Sequence, residues 1–152
     1  MTYANESIVE LLRSGFEYDL WANMRWFNAL QLMRKQDVAS PVLQHILTTQ
    51  RIWLERCGVA VEGIPRAATK TAFEGANHAW IALVTGSDLN GLVDYNDFRG
   101  RPHKRARGEI AWHVINHGTF HRGHLRGLAQ GEGFEEFTDT DLIYYFDEVR
   151  KR

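Results

Sequence analysis

The sequence predicts an all-α protein, a four-helix bundle, on three observations. Apolar residues recur at spacings of three and four over long stretches. The 152 residues include only 3 prolines. Clusters of Gly, Asn, Asp and Pro are confined to a few short segments that read as connections. The length suits a single domain, 1–152, able to bury a core of its own. No internal repeat, low-complexity tract or domain linker interrupts it.

The first long helix is expected from Asn5 or Ser7, either of which suits a cap, to Arg34. Ile8, Leu12, Phe16, Trp26, Leu30 and Met33 recur there at helical spacing. Ser40-Pro41 reads as a cap followed by proline in the first turn. The second helix then runs to about Cys57, with Gly58 as a natural stop. Residues 59–68, with Gly63 and Pro65, form a connection. A third helix spans about Thr69 to Val84 and ends at Thr85-Gly86-Ser87. A long connection follows, in which Leu92-Val93-Asp94-Tyr95 is a possible short extended piece. The fourth helix is expected from about Lys104 to Gln130, before Gly131-Glu132-Gly133. Thr140 or Asp141 starts a short C-terminal helix to about Arg150. Four main helices of this length suggest a bundle, and the long third connection implies that not every neighbour is a simple hairpin.

Of the 7 histidines, four fall in one run, His113, His117, His121 and His124. Placed at about 100° per residue, Ile110, Val114, Leu125 and Leu128 define an apolar stripe on the fourth helix. His117 and His121 fall at its middle, stacked one above the other. His113 and His124 lie toward one flank. Two imidazoles at the centre of a core bring polar nitrogens that need partners, and a metal ion satisfies both. The second helix has an inward stripe of Val42, Ile46, Thr49, Ile52 and Trp53, and His45 falls inside it. Three histidines leave a coordination position open, the layout of a catalytic rather than a closed structural site. His78 and His103 read as surface or loop residues.

Net charge of −1 gives no overall pull toward nucleic acid or an anionic membrane. A single cysteine, Cys57, excludes an intrachain disulfide framework, and a reducing, cytoplasmic setting is the expectation. Cys57 reads as a small hydrophobe near a helix end. No signal-peptide pattern opens the chain and no apolar run is long enough to span a bilayer. Arg99, Arg101, Lys104, Arg105 and Arg107 form a dense basic run. It reads first as a solvated loop. The alternatives are a phosphate-binding patch for nucleic acid or a collecting surface at a pocket mouth.

The run Asn116-His117-Gly118-Thr119-Phe120-His121-Arg122-Gly123 carries a family resemblance. So do His45, the segment Tyr18-Asp19-Leu20-Trp21-Ala22-Asn23, Tyr95 ahead of Gly100, and Asp141-Leu142-Ile143-Tyr144-Tyr145. The chain resembles the DinB/YfiT-like superfamily over nearly its whole length. The resemblance implies an up-down-down-up bundle, frequent homodimers and a site for a divalent metal, zinc or nickel. It maps the metal ligands onto His45, His117 and His121, the same three chosen by periodicity. His124 departs from the pattern, where glutamine is usual, and adds a titratable group near the site.

The resemblance further implies a metal-dependent transferase that uses a low-molecular-weight thiol such as bacillithiol or mycothiol on an electrophilic small-molecule substrate. A metal-dependent hydrolase and a non-catalytic metal-binding stress protein are the alternatives. Nucleic-acid binding through residues 99–107 is a third. Asp19, Asn23 and Arg122 are the candidate catalytic residues. Asp19 and Asn23 share the inward face of the first helix. Asp19 could orient a ligand imidazole, act as a base, or tie helices together. Arg122 lies beside the stripe, where it could pair with a carboxylate or hold an anionic substrate. Asn116 is a neighbour of the site, and Tyr18 and Trp21 line the pocket or belong to the core.

Overall fold

The computed structural model describes residues 6–136 and 139–150, with Glu6 and Ser7 described by backbone alone. Helix α1 spans Glu6–Leu30, α2 Ser40–Arg56, α3 Lys70–Gly86, α4 Arg107–Gly131 and α5 Leu142–Glu148. Between α3 and α4 lies an antiparallel pair of strands, β1 (Leu92–Asn96) and β2 (Pro102–Ala106). The protein is mostly helical, as expected, with this small sheet added. Residues from all four long helices share one core, in which Trp26, Phe16, Trp80, Ile46, Leu47 and Leu125 are fully enclosed. Phe16 of α1 stacks on Trp80 of α3 at 4.9 Å between ring centres. The main helix contacts are α1 on α3 and α2 on α4.

The helix ends follow local chemistry. Thr69 caps α3 by accepting a hydrogen bond from Ala72 N at 3.2 Å. Helix α2 closes through Gly58, whose φ of +80° allows Val59 N–H to reach back to Leu54 O. Gly133, φ +74°, closes α4 in the same way, with Phe134 N–H on Ala129 O. Asn5, a possible cap of α1, lies outside the described residues, and Ser7 falls within the helix. Helix α2 begins at Ser40, so Ala39 rather than Ser40 holds the cap position, and Pro41 lies in the first turn.

Four expectations are corrected. Helix α1 stops at Leu30, not Arg34, because the last bonds shorten to three-residue steps from Gln31 to Met33. That tightening turns the chain and buries Met33 against the core. Ile8, expected inside, is 55% exposed. Helix α4 starts at Arg107 rather than Lys104, because residues 102–106 are paired with 92–96 as a strand. The turn between the strands is built on Asp97, whose side chain accepts from Arg99 N and Arg101 N, with Gly100 at φ +75°. Those bonds, with His103 and Arg101 beside it, hold the Asp97 carboxyl at about 2. The final helix is shorter than expected at both ends, and Asp141 precedes it without a side-chain cap bond. It docks on α1 through Tyr18, Ala22 and Tyr145.

Candidate metal centre

The histidines of α4 come together with His45 of α2. One ring nitrogen from each of His45, His117 and His121 lies within 4.8 Å of the others. His45 Nε2 and His117 Nε2 are 3.2 Å apart. Ring centres are 4.3 Å apart for His117–His121 and 4.4 Å for His45–His121. Bonds of about 2.0–2.1 Å to a tetrahedral ion separate ligand nitrogens by about 3.3 Å, so the donor set fits a divalent cation. Two of the rings are also held in the form that binds one. Burial, then the neighbouring His121, His45 and His113, hold His117 far below the ordinary histidine range, at about 4. His121 is pushed down by burial first, then by His45 and His124. Each neutral imidazole keeps one lone pair for a metal, and without one the His45 and His117 nitrogens can share an N–H···N hydrogen bond whose donor is set by the tautomer.

These rings sit differently in their helices from the expectation. The buried line of α4 is Ile110, Ala111, Val114, Gly118, Arg122, Leu125 and Ala129. His117 and His121 flank that line, half-buried, and Arg122 stands in it. On α2 the buried line is Val42, Leu43, Ile46, Leu47, Gln50, Arg51 and Leu54. His45 is exposed at its rim, and Thr49, Ile52 and Trp53 are half-buried. Both shifts have one cause. Buried Gly, Gln and Arg do not register as apolar, so the true stripes are displaced from the apparent ones. The consequence for the site is access: the three nitrogens converge at the edge of the α2–α4 seam, open to solvent on the His45 side.

Behind them, the structure brings Asp19, Asn23 and Arg122 together, exposed by only 1%, 1% and 2%. Arg122 Nη1 donates to Asp19 Oδ1 at 2.6 Å and to Asn23 Oδ1 at 2.8 Å. Asp19 Oδ2 accepts from Asn23 Nδ2 at 2.9 Å and from Gln50 Nε2 at 2.6 Å. Arg122 Nη2 adds a bond to Thr119 Oγ1, and the guanidinium lies 5.2 Å from the Tyr18 ring centre. Among the described residues no hydrogen bond joins this network to the three imidazoles. It ties α1, α2 and α4 together one residue away from the histidines. Gln50 and Gly118 were not singled out from the sequence. A side chain at Gly118 would collide with the Asp19 carboxylate, so glycine there is what lets α1 approach α4. A small residue in the line of Val114 and Leu125 was the available signal.

The remaining candidates separate clearly. His113 is one turn from His117, with its ring centre 5.4 Å from that of Trp53 and 5.8 Å from that of His117. His124 is exposed, 6.4 Å from His121 between ring centres. Asn116 is exposed on the far side, in the wall of an apolar groove with Leu11, Trp112 and Leu142. Tyr18 is buried beneath α5, its hydroxyl donating to Thr140 O, and Trp21 packs there against Tyr145. His78 is exposed, and His103 pairs with Asp97 at 3.1 Å. Cys57, at the end of α2, is half-buried against the core, and burial pushes its thiol pKa up. In the basic run, Arg101 pairs with Asp97 and Lys104 with Asp94.

Fold and site together define a mostly helical protein with a surface-accessible cluster of three histidines able to hold a metal ion. The chain is 23% identical over 163 aligned positions to Protein DinB of Bacillus subtilis (strain 168), an alignment that covers 90% of this chain and 95% of that protein. No protein-family model matches the chain, and no solved structure matches it. The likeness supports a DinB-like chain, and the histidine cluster is compatible with metal binding. Among the described residues no helix is long and apolar enough to cross a membrane.

Proposed function

We propose that the chain is a metal-dependent transferase that uses a low-molecular-weight thiol, with zinc or nickel held by His45, His117 and His121. The observation that carries this reading is the convergence of three ring nitrogens within 4.8 Å at a solvent-accessible edge. A divalent ion held there would act as a Lewis acid, favouring the thiolate form of a small thiol. The three imidazoles serve as neutral donors and leave the solvent side open for thiol and substrate. His113 walls the approach. Asp19, Asn23 and Arg122 act as positioning residues, because their hydrogen bonds are made to one another and to the helix carrying His117 and His121. The reading includes an up-down-down-up bundle. Its support is that Gly15 meets Ile115 while Asp19 meets Arg122, so α1 and α4 advance together. His45 meets His117 while Trp53 meets His113, so α2 runs against α4. A cytoplasmic homodimer completes it, and the groove bordered by exposed Leu11 and Trp112 supplies an apolar face for a second copy.

The test is turnover of a small electrophile, an epoxide or a chloronitroaromatic, by metal-loaded protein with and without cysteine, glutathione or bacillithiol. The expected result is turnover that requires both thiol and metal and is lost in His117→Ala. Ester or amide turnover without thiol would replace the transferase reading by the hydrolase. Bound metal with neither turnover nor thiol binding would leave a metal-binding stress protein.

A further inference from the structure

A second cavity, of about 300 Å³, opens beside the histidine cluster, lined by Trp53, Tyr95, Arg105, Glu109, Ile110 and His113. The cavity and the histidine cluster lie along the same two helices. His113 lies one turn before His117 on α4, and Trp53 two turns beyond His45 on α2, about 6 Å and 12 Å along the respective axes. The His113 edge of the cavity is therefore the one nearest the cluster, with the His113 and His117 ring centres 5.8 Å apart.

Three of the six lining side chains are aromatic rings. Trp53 meets Tyr95 edge to face at 4.9 Å and His113 at 5.4 Å. Arg56 locks this wall from behind. Its guanidinium lies 4.4 Å from the Trp53 ring centre and 5.0 Å from that of Tyr95, and Nη2 donates to Asn96 O at 2.9 Å. The hairpin is thereby pinned to the end of α2, and the rings are held in place before any ligand arrives. Rigid π surfaces of this kind favour a flat, unsaturated ligand.

Charge at the rim selects further. Arg101 and Lys104, neighbours in the basic run, are paired with Asp97 and Asp94. Arg105 lines the cavity, and the only side-chain hydrogen bond it makes among the described residues is to the Lys104 carbonyl. A guanidinium so placed has donors left for a carboxylate. Glu109, the one acid in the wall, accepts from Ala106 N at 3.1 Å, which ties it to the positive start of α4.

We infer that this cavity binds the electrophilic substrate, a small aromatic or heteroaromatic carboxylate, with its ring against Trp53, Tyr95 and His113 and its carboxylate on Arg105. The inference takes the transferase reading as its frame, but binding alone tests it. Naphthoate and its neutral counterpart naphthamide are titrated into the full-length protein by calorimetry and ligand-observed NMR, both metal-loaded and chelated. The expected result is naphthoate bound at least tenfold more tightly than naphthamide, with or without metal. Arg105→Gln abolishes that preference, while Arg99→Gln, away from the cavity, keeps it. Tyr95→Leu weakens both ligands together. Equal binding of the two ligands, or a preference that survives Arg105→Gln, overturns the assignment. So does a preference that vanishes on chelation, which would place the carboxylate on the metal. His117→Ala separates the two claims. Retained metal in that variant contradicts the metal centre, whereas a lost naphthoate preference in it contradicts the cavity assignment.

Discussion

On one face of α4, Gly118 and Arg122 look onto Asp19, Asn23 and Gln50. On the adjoining face, His117 and His121 look onto His45. The first group is buried and meets its polar needs largely inside the fold: the two Asp19 oxygens accept from three side chains on three helices. The second group is half-open and directs nitrogen toward nitrogen, 3.2 Å apart for His45 and His117. One N–H can satisfy a single pair of these rings, but a metal ion can take a lone pair from all three at once. The contrast separates a polar cluster that holds helices from one built for a ligand. It also explains how they coexist, since the closed network fixes the rotation of α4 on which the histidine geometry depends.

The comparison breaks first if the closed network is not structural. Arg122→Ala strands the Asp19 carboxylate in the core, and denaturant unfolding should show a loss of about 3–5 kcal/mol. Replacing the pair together, as Asp19→Leu with Arg122→Met, should recover much of that loss, because burying the pair was itself costly. A fully stable Arg122→Ala protein would mean that the two helices are held by something else. Gly118→Ala is the next largest effect. Its methyl group meets the Asp19 carboxylate and forces α1 and α4 apart, a cost of about 1–3 kcal/mol by thermal or chemical unfolding.

The smallest effect concerns the open cluster without metal. His117 is neutral in the folded chain down to about pH 4, whereas an unfolded histidine takes a proton near pH 6.5. Between those values the unfolded chain binds more protons, so this contribution is complete above about pH 6.5 and is lost as pH falls toward 4. In chelator, the unfolding free energy should drop by roughly 1 kcal/mol from pH 7 to pH 5, after allowance for solvent around a half-buried ring. His117→Gln should flatten that slope. An unchanged slope would show that His117 does not resist protonation in the folded chain.

Much of this was legible in the sequence, for identifiable reasons. The helices appear because Leu12, Phe16 and Trp26, or Val42 and Ile46, repeat at the helical period and are buried accordingly. Gly58 and Gly133 mark helix ends because only glycine takes their positive φ cheaply. His45, His117 and His121 do come together, but at a different depth from the one expected. The pattern placed the pair at the centre of the core, whereas Gly118 and Arg122 occupy that line, one by absence of a side chain and one by pairing its charge. Strand β2 was hidden for a related reason. His103 and Ala106 are only half-buried and the rest of its side chains are exposed, so no alternation marks the strand, and Lys104-Arg105-Ala106 suits a helix equally well. Its structure comes from pairing with β1, a non-local event. The role of Arg105 was open for the same reason, since only the hairpin turns it toward Trp53.

The most direct measurement is metal content per chain of the untagged protein, beside His45→Ala, His117→Ala and Arg105→Gln, with folding of each checked by circular dichroism. About one divalent ion per chain is expected in the parent protein and in Arg105→Gln, as an open three-histidine site requires. Both histidine variants should lose at least about 100-fold in metal affinity with helical content unchanged, beyond what altering a supporting residue typically costs. Undiminished metal in folded His45→Ala and His117→Ala proteins would contradict that site.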